Sequence, residues 1–340
     1  MSGVGRAATV LVVGDGGWGT ALAMVSHRAG RRVRLWSHDP PYAEVLQRTR
    51  HNPKFLPGVE IPAAVEISAD FARLAEGAEL ILMVIPTQFL RGVLTRIGRD
   101  FPRQAQVVSC AKGIERATLL LPSQILAERI GARSPVILSG PSHAEEVSRD
   151  LPATVVAASH DHAAARHVSE FLSCPTFRVY TNPDPLGVEI GGAVKNVIAL
   201  AAGIADGLEL GDNARAALIT RGVTEISRLG IALGARRETF MGLAGIGDLI
   251  ATCTSNHSRN HAVGYRIGRG ETLDLILRST EKVPEGVETT RSLMELARRA
   301  SVDMPIAREV HAVLFEEKLP REAVQTLMTR SAKDELEDLL

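Results

Sequence analysis

The residues of this sequence that could do chemistry fall at four places, each with a recognisable spacing. A glycine turn, Gly14-Asp15-Gly16-Gly17-Trp18-Gly19, follows a short apolar run (residues 8–13) and opens a helical pattern with Ala21, Leu22, Val25 and Ala29 on one face. In that context Gly14 permits a tight turn, Gly16 lets the backbone approach an anion and Gly19 lets helix and strand pack closely. With the unpaired N–H groups of the helix start, these residues predict a seat for the pyrophosphate of a dinucleotide. Lys195 lies inside the most apolar stretch, with Gly191 and Gly192 about one turn before it and Ala199 and Ala202 after it. Helix-interior glycines cost about 1 kcal/mol each relative to alanine, so the pair demands a packing or functional reason. Small residues beside one lysine leave that face room for a ligand, unless the ammonium reaches past them to the surface. Asp248, in Gly245-Ile246-Gly247-Asp248-Leu249, precedes Thr252 by one turn and could orient Lys195 or serve only as a helix cap. Ser258-Arg259-Asn260 places an arginine fork and short polar side chains at a helix start, which suits a phosphate.

The group that reads an adenosine ribose belongs at the end of the second strand, which here runs Trp36-Ser37-His38-Asp39 with no carboxylate at its tip. Asp39 could accept from a ribose hydroxyl, whereas Ser37 and His38 could donate to a 2′-phosphate. On this reading both nucleotides work and NADPH is moderately preferred; the other reading of His38 is an exposed loop histidine.

The elements that must position these residues are legible as periodicities. Short β-branched runs at residues 8–13, 33–36, 80–85, 106–110, 136–139 and 154–157 alternate with helical patterns, which predicts βαβ units and a parallel sheet buried on both faces. Gly14, Pro86-Thr87, Lys112-Gly113 and Gly140-Pro141-Ser142 all stand just past the end of a run, on the edge where open α/β sheets bind ligands. At Asp184-Pro185 the character changes to helical spacing, with Leu186, Ile190, Val194, Ile198 and Ala201 about a turn apart. The domains are therefore 1–184 and 185–340, two as the length of 340 residues suggests, with a cleft expected where they meet. Residues 333–340 read as a solvated helical tail.

Composition narrows the class. With 45% hydrophobic and 23% charged residues the chain is globular, and 39 basic against 39 acidic side chains leave no field to recruit nucleic acid or an anionic membrane. Cys110, Cys174 and Cys253 have neither disulfide-framework nor zinc-site spacing and read as reduced thiols, with no metal expected. No secretory pattern opens the chain, and the apolar stretch 190–204 is interrupted and shorter than the ~20 residues of a membrane span. A cytoplasmic enzyme is expected.

Taken together, the glycine loop, HNPKFLP at 51–57, AKGI at 111–114, LSGPS at 138–142, GGAVKN at 191–196 and residues 213–222, 241–248, 258–260 and 283–286 resemble the bacterial NAD(P)-dependent glycerol-3-phosphate dehydrogenase family, in family order across nearly the whole chain. The resemblance implies an α/β N-terminal Rossmann domain, a mostly parallel doubly wound sheet, followed by an all-α C-terminal domain. It implies NADP(H) or NAD(H) as cofactor and a small phosphorylated three-carbon substrate, dihydroxyacetone phosphate, reduced to sn-glycerol 3-phosphate for glycerophospholipid synthesis. It makes Lys195 the catalytic proton acceptor, with Asp248 beside it, and puts Lys112, Gly140, Ser142, Asp248, Ser258, Arg259 and Asn260 around the substrate. Gly14, Gly16, Gly17, Trp18, Gly19, His38, Lys112, Ala144, Arg259, Val283 and Glu285 would serve the cofactor. The loop departs from the family at Asp15 and Gly17, where alanine and serine are usual, so a hydroxyl is lost and a carboxylate gained; Phe55 and Pro284 are milder departures. A lysine acting as a base near neutrality needs burial or a second cation such as Lys112, and Asp248 would oppose that shift while fixing the ammonium's direction. No nucleic-acid partner or membrane span is expected, and a homodimer is possible. The alternatives are another Rossmann plus helical-domain dehydrogenase, of the β-hydroxyacid or 6-phosphogluconate type, and a non-catalytic NADP-binding sensor.

Overall fold

A computed structural model describes residues 8–132, 134–280, 284–331 and 334. The chain forms two compact units: residues 1–111 with 122–185, and residues 112–121 with 186–340. The final crossing falls beside the expected boundary at 184/185. The difference is the segment Lys112–Leu121, which a single cut assigns to the first domain but whose contacts lie with the second. Its apolar residues explain this: Ile114 and Leu121 are buried in the hydrophobic cluster of the helical unit, and Ser292 Oγ donates to the Ile114 carbonyl at 3.1 Å.

The first unit contains β1 (Thr9–Val13), α1 (Gly17–Arg28), β2 (Arg32–Trp36), α2 (Pro40–Thr49), β3 (His51–Asn52), β4 (Leu56–Glu60), β5 (Glu66–Ser68), α3 (Phe71–Ala75), β6 (Leu80–Met83), α4 (Thr87–Ile97), β7 (Gln106–Ser109), α5 (Pro122–Ile130), β8 (Val136–Ser139), α6 (Ala144–Ser148), β9 (Ala153–Ala158), α7 (His162–Leu172) and β10 (Phe177–Asn182). Eight strands form one sheet in the order β10-β9-β8-β7-β6-β1-β2-β5. Every pairing is parallel except β8 with β9. The six apolar runs are all strands of this sheet. The order reverses beside β1, which pairs with β2 on one side and β6 on the other, so the crevice that such a reversal opens lies at the carboxyl ends of β1 and β6. β1 is buried along its whole length, as a sheet covered on both faces requires.

The second unit continues with α8 (Pro185–Gly207), α9 (Gly211–Ala232), α10 (Arg237–Phe240), α11 (Asp248–Thr254), α12 (Arg259–Gly268), α13 (Leu273–Arg278), α14 (Glu285–Arg299), α15 (Pro305–Phe315) and α16 (Pro320–Met328), and no strand is present among its described residues. α8 is long and apolar enough to cross a membrane by length and composition alone, yet 94% of its most apolar window is buried, as in the core helix of a globular unit. The expected tail, 333–340, falls outside the described residues apart from Asp334. All three cysteines are free thiols.

What brings the helical unit's functional residues together is a close crossing of α8 and α12. A Cβ on Gly203 would lie 2.1 Å from the His261 carbonyl oxygen, one on Gly207 2.3 Å from that of Tyr265, one on Gly264 2.1 Å from that of Leu200, and one on Gly268 2.5 Å from that of Ile204. Only hydrogen fits at these positions. The pairs Leu200/Gly264 and Ile204/Gly268 each advance one turn on both helices, so α8 and α12 run in parallel. One turn earlier on both stand Asn196 and Asn260, joined by a 2.9 Å bond from Asn260 Nδ2 to Asn196 Oδ1.

Replacing Gly264 by alanine should therefore lower stability. The gain in helix propensity, about 1 kcal/mol, is outweighed by driving two backbones apart, about 1–3 kcal/mol and more where the collision is with main chain. A denaturant midpoint equal to or above wild type would show that the helices part at no cost.

Candidate active site

The second unit carries an enclosed charge cluster. Asp248 is the first residue of α11, delivered by an irregular turn, Leu243–Gly247, in which Gly245 takes non-helical angles (φ −99°, ψ −105°). A Cβ at Gly245 would lie 2.1 Å from the Phe240 carbonyl oxygen, which is why glycine is needed there. Asp248 does not cap the helix it begins; its carboxylate takes two ammonium groups instead. Lys195 Nζ donates to Oδ1 at 2.5 Å, and Lys112 Nζ donates to Oδ2 at 2.7 Å. Lys195 also donates to Thr252 Oγ1 at 2.6 Å, and Thr252 in turn donates to the Asp248 carbonyl at 2.6 Å. The side chains of Lys195 and Asp248 are 7% and 3% exposed, so the lysine does not reach past its neighbours to solvent.

The electrostatics follow from this enclosure. Burial pushes the Lys195 ammonium down to about 8; Asp248 works against the fall and Lys112 adds to it. For Asp248 burial favours the neutral acid, but the charges and hydrogen bonds of Lys112 and Lys195 outweigh it and hold the carboxyl below its usual range. Two cations on one anion leave an excess positive charge in low dielectric, a setting that favours an anionic ligand and a developing alkoxide.

The space expected beside Gly191 is not open. A Cβ there would lie 2.6 Å from the Ala244 carbonyl oxygen, so this glycine has a packing reason: it admits the turn that carries Asp248.

Ser258-Arg259-Asn260 occupies the start of α12. Ser258 is its N-cap, its Oγ accepting from His261 N at 3.2 Å, which leaves the hydroxyl proton to donate elsewhere. Asn260 is buried between Asn196 and the start of α14, accepting from Gly286 N at 3.0 Å. Arg259 is exposed and makes no side-chain hydrogen bond or ion pair among the described residues. Glu285 is the first residue of α14 and half-buried; Val283 lies outside the described residues. Lys112, Lys195, Asp248, Ser258, Arg259, Asn260 and Glu285 thus all belong to the second unit. Asn196 and Thr252 complete their hydrogen-bond network. Both lie one residue or one turn from an expected site residue, which was the available signal.

The first unit holds the glycine loop at the carboxyl end of β1. Gly14 has φ +118° and a Cβ there would meet the Val84 carbonyl oxygen at 2.6 Å; a Cβ at Gly19 would lie 1.9 Å from the Gly14 carbonyl oxygen. Gly16 faces open space, the condition for a ligand to approach the backbone. A Cβ at Gly17 would lie 2.7 Å from the Phe55 carbonyl oxygen, so the turn between β3 and β4 leaves no room there for a side chain. The hairpin is pinned by Asn52, whose Nδ2 donates to the Asp15 carbonyl and to Thr20 Oγ1, both at 2.8 Å, and whose Oδ1 accepts from Tyr42 Oη at 2.6 Å and Phe55 N at 3.0 Å. No acid and no capping side chain occupies the first turn of α1. Trp18 is half-buried, its ring 6.4 Å from that of Phe177. Ala144 begins α6 beside Gly17. Gly140 (φ +137°) follows β8, and Ser142 Oγ donates to its carbonyl at 2.9 Å. His38 is exposed just past β2.

A dinucleotide fits these residues. Besides the uncapped helix start and the open face of Gly16, the buried hydroxyls of Thr87, Ser109 and Ser139 have no hydrogen-bond partner among the described residues, and they stand at or just beyond the ends of β6, β7 and β8.

Comparison with known proteins agrees. Residues 9–165 match the family model of the NAD-dependent glycerol-3-phosphate dehydrogenase N-terminus, and residues 184–325 that of its C-terminus. The chain is 49% identical to the NAD(P)+ glycerol-3-phosphate dehydrogenase 1 of Salinibacter ruber, over 96% of this chain and 97% of that one. It is 48% identical to the corresponding enzyme of Geobacillus kaustophilus, over 97% of each. Among solved structures, the glycerol-3-phosphate dehydrogenase of Coxiella burnetii superposes with a TM-score of 0.91 at 38% identity, covering 96% of this chain and all of that one.

The cluster makes a stability prediction. Asp248→Ala strands two ammonium groups and should cost roughly 3–5 kcal/mol at pH 6. Lys195 has a folded pKa below its unfolded value, so the native state sheds this proton first and the Lys195 contribution rises with pH from about 8 upward in the wild type, and from lower pH in the variant. Urea unfolding at pH 6 and pH 9 should show the variant's deficit shrinking at the higher pH; an equal deficit at both would show that the stranded ammonium is not the cost.

Proposed function

The chain belongs to the NAD-dependent glycerol-3-phosphate dehydrogenase family, and from that premise we propose that it reduces dihydroxyacetone phosphate reversibly to sn-glycerol 3-phosphate with NADPH or NADH, using Lys195 as its proton donor and acceptor. The observation that carries the assignment of Lys195 is its enclosure with Asp248 and Thr252, which gives a pKa of about 8 and a fixed direction to one ammonium. As a cytoplasmic enzyme it would supply glycerol phosphate for glycerophospholipid synthesis.

When bound, a nicotinamide cofactor would supply the hydride for carbon 2. Everything else is assigned to the protein. In reduction, Lys195 Nζ–H is given to the substrate oxygen on carbon 2 as negative charge builds there, and Lys112 adds positive potential without losing its bond to Asp248. Asp248 remains ionised throughout, holding both ammonium groups. In oxidation neutral Lys195 takes the hydroxyl proton. Arg259, Ser258 and the first amides of α12 are assigned to the substrate phosphate, which holds the rest of the molecule while carbon 2 reacts. Gly140 and Ser142 are proposed to line the substrate site. Gly14, Gly16, Gly17, Trp18, Gly19, His38 and Ala144, and by the resemblance Lys112, Arg259 and Glu285, are proposed as cofactor residues. Val283, assigned with them by resemblance, lies outside the described residues.

Lys195→Ala should lower kcat by roughly 10²–10⁴-fold with nucleotide binding intact. Retention of more than about a tenth of wild-type kcat would remove Lys195 from proton transfer. In the wild type the reductive kcat/KM should fall as pH rises through about 8, where the donor loses its proton, and the oxidative value should rise there. Profiles without opposed limbs near that pH would count against the same assignment.

Arg259→Ala should raise KM for dihydroxyacetone phosphate by about 10–100-fold, the loss of a charge-assisted hydrogen bond of about 1.5–3 kcal/mol, and should weaken competition by inorganic phosphate. An unchanged KM would make Arg259 an ordinary surface residue.

A further inference from the structure

In dinucleotide-binding sheets the acid that reads the adenosine ribose sits at the end of the second strand, about 20 residues past the glycine loop. Here β2 ends at Trp36 and Ser37 follows, so the strand itself brings no carboxylate. The fold supplies one from elsewhere. Asp15, inside the glycine loop, is 5% exposed, and its Oδ2 accepts from Ser37 Oγ at 2.6 Å. The loop is held against the strand end by a 3.1 Å bond from Gly14 N to the Trp36 carbonyl, and from the other side by Asn52 on the Asp15 carbonyl.

We infer that Asp15 sets nucleotide choice, its carboxylate taking at the tip of β2 the place of the missing strand acid and turning the protein toward NADH and away from the 2′-phosphate of NADPH. The inference deepens the proposed function and rests on its nucleotide site. Ser37 cannot donate to a 2′-phosphate while its one hydroxyl proton lies on Asp15, and its oxygen also takes Asp39 N at 3.3 Å. A phosphate monoester carries nearly two negative charges at neutral pH, so a neighbouring carboxylate repels it, whereas a ribose hydroxyl can donate to that carboxylate. Opposing Asp15 are the Arg96 guanidinium and His38, a hydrogen-bond donor. Arg96 Cζ lies 5.2 Å from the Trp36 ring centroid and Nη2 donates to the His38 carbonyl at 3.5 Å. Both are exposed, hence screened by water and salt, while Asp15 acts from a buried position where its field is screened far less. The NADPH preference suggested by the bare strand tip is thereby reversed.

The test is direct binding. Kd for NADH and for NADPH is measured by fluorescence titration, with 2′-AMP and 5′-AMP as competing fragments, for the wild type, Asp15→Asn and Asp15→Ala. Asparagine keeps an acceptor for Ser37 and removes only the charge. The wild type should bind NADH at least as tightly as NADPH, and in both variants the affinity ratio should move about 10-fold or more toward NADPH, with 2′-AMP gaining over 5′-AMP in parallel. An unchanged ratio in both variants, or a shift in Asp15→Ala alone, would overturn the inference, the latter because the hydrogen bond and not the charge would then matter. Failure of the wild type to bind either nucleotide would instead defeat the nucleotide site itself.

Discussion

An ammonium group enclosed in protein is among the most expensive things a fold can contain, several kcal/mol per ion even after relaxation, and the helical unit is arranged around one. Lys195 is tolerable only because Asp248 meets it, and Asp248 is in position only because the chain between α10 and α11 abandons regular helix at Gly245. That turn in its turn needs Gly191 on α8, where any side chain would strike the Ala244 carbonyl. The sequence of requirements runs from charge to carboxylate to kink to glycine. The same cost is the source of reactivity: the desolvation that makes the ammonium dear also brings its proton into the range where it can be exchanged near neutral pH.

A second requirement, close approach, ties the remaining polar residues to this centre. α8 and α12 touch backbone to backbone through four glycines, and the contact continues in register to the Asn196–Asn260 pair. Asn260 then reaches Gly286 N at the start of α14, so the N-termini of two helices are fixed to the helix that bears Lys195. Arg259, exposed at the first position of α12, therefore stands on a helix start that is held to α8 and to the start of α14.

Much of this was readable from residue order. The six main strands of the parallel sheet declared themselves because buried strands are continuous apolar runs, and the long helix of the second unit because its apolar spacing persists for several turns. β5 and the hairpin β3–β4 did not, being two to five residues long and partly polar, and β10 alternates buried with exposed residues at the sheet edge. Among the site residues, Lys195, Asp248 and Arg259 could be suspected from type and setting. Lys112 could be noticed from its place just past a strand, but no local pattern says that a lysine there will share a carboxylate with a helix 136 positions on. The role of the glycines in α8 and α12 was present as a spacing of four in both helices, but spacing alone does not say which helix faces which. The bond between Ser37 and Asp15 was not legible for a simple reason: a side chain's partner need not lie on the element where function is customarily read.

The segment Lys112–Leu121 has a consequence for how the protein is made. The chain passes from the first unit to the second, back again, and only later crosses for good. During synthesis every contact of the first unit is available once residue 185 has left the ribosome, but Ile114 and Leu121 belong to a cluster whose other members are still unmade. A loop carrying these apolar residues, with Lys112 at its head, must therefore wait in water until the helices of the second unit arrive. No single cut between the units yields two complete pieces: a fragment ending at the boundary would carry an exposed greasy strap, and the complementary fragment would lack the lysine that shares Asp248.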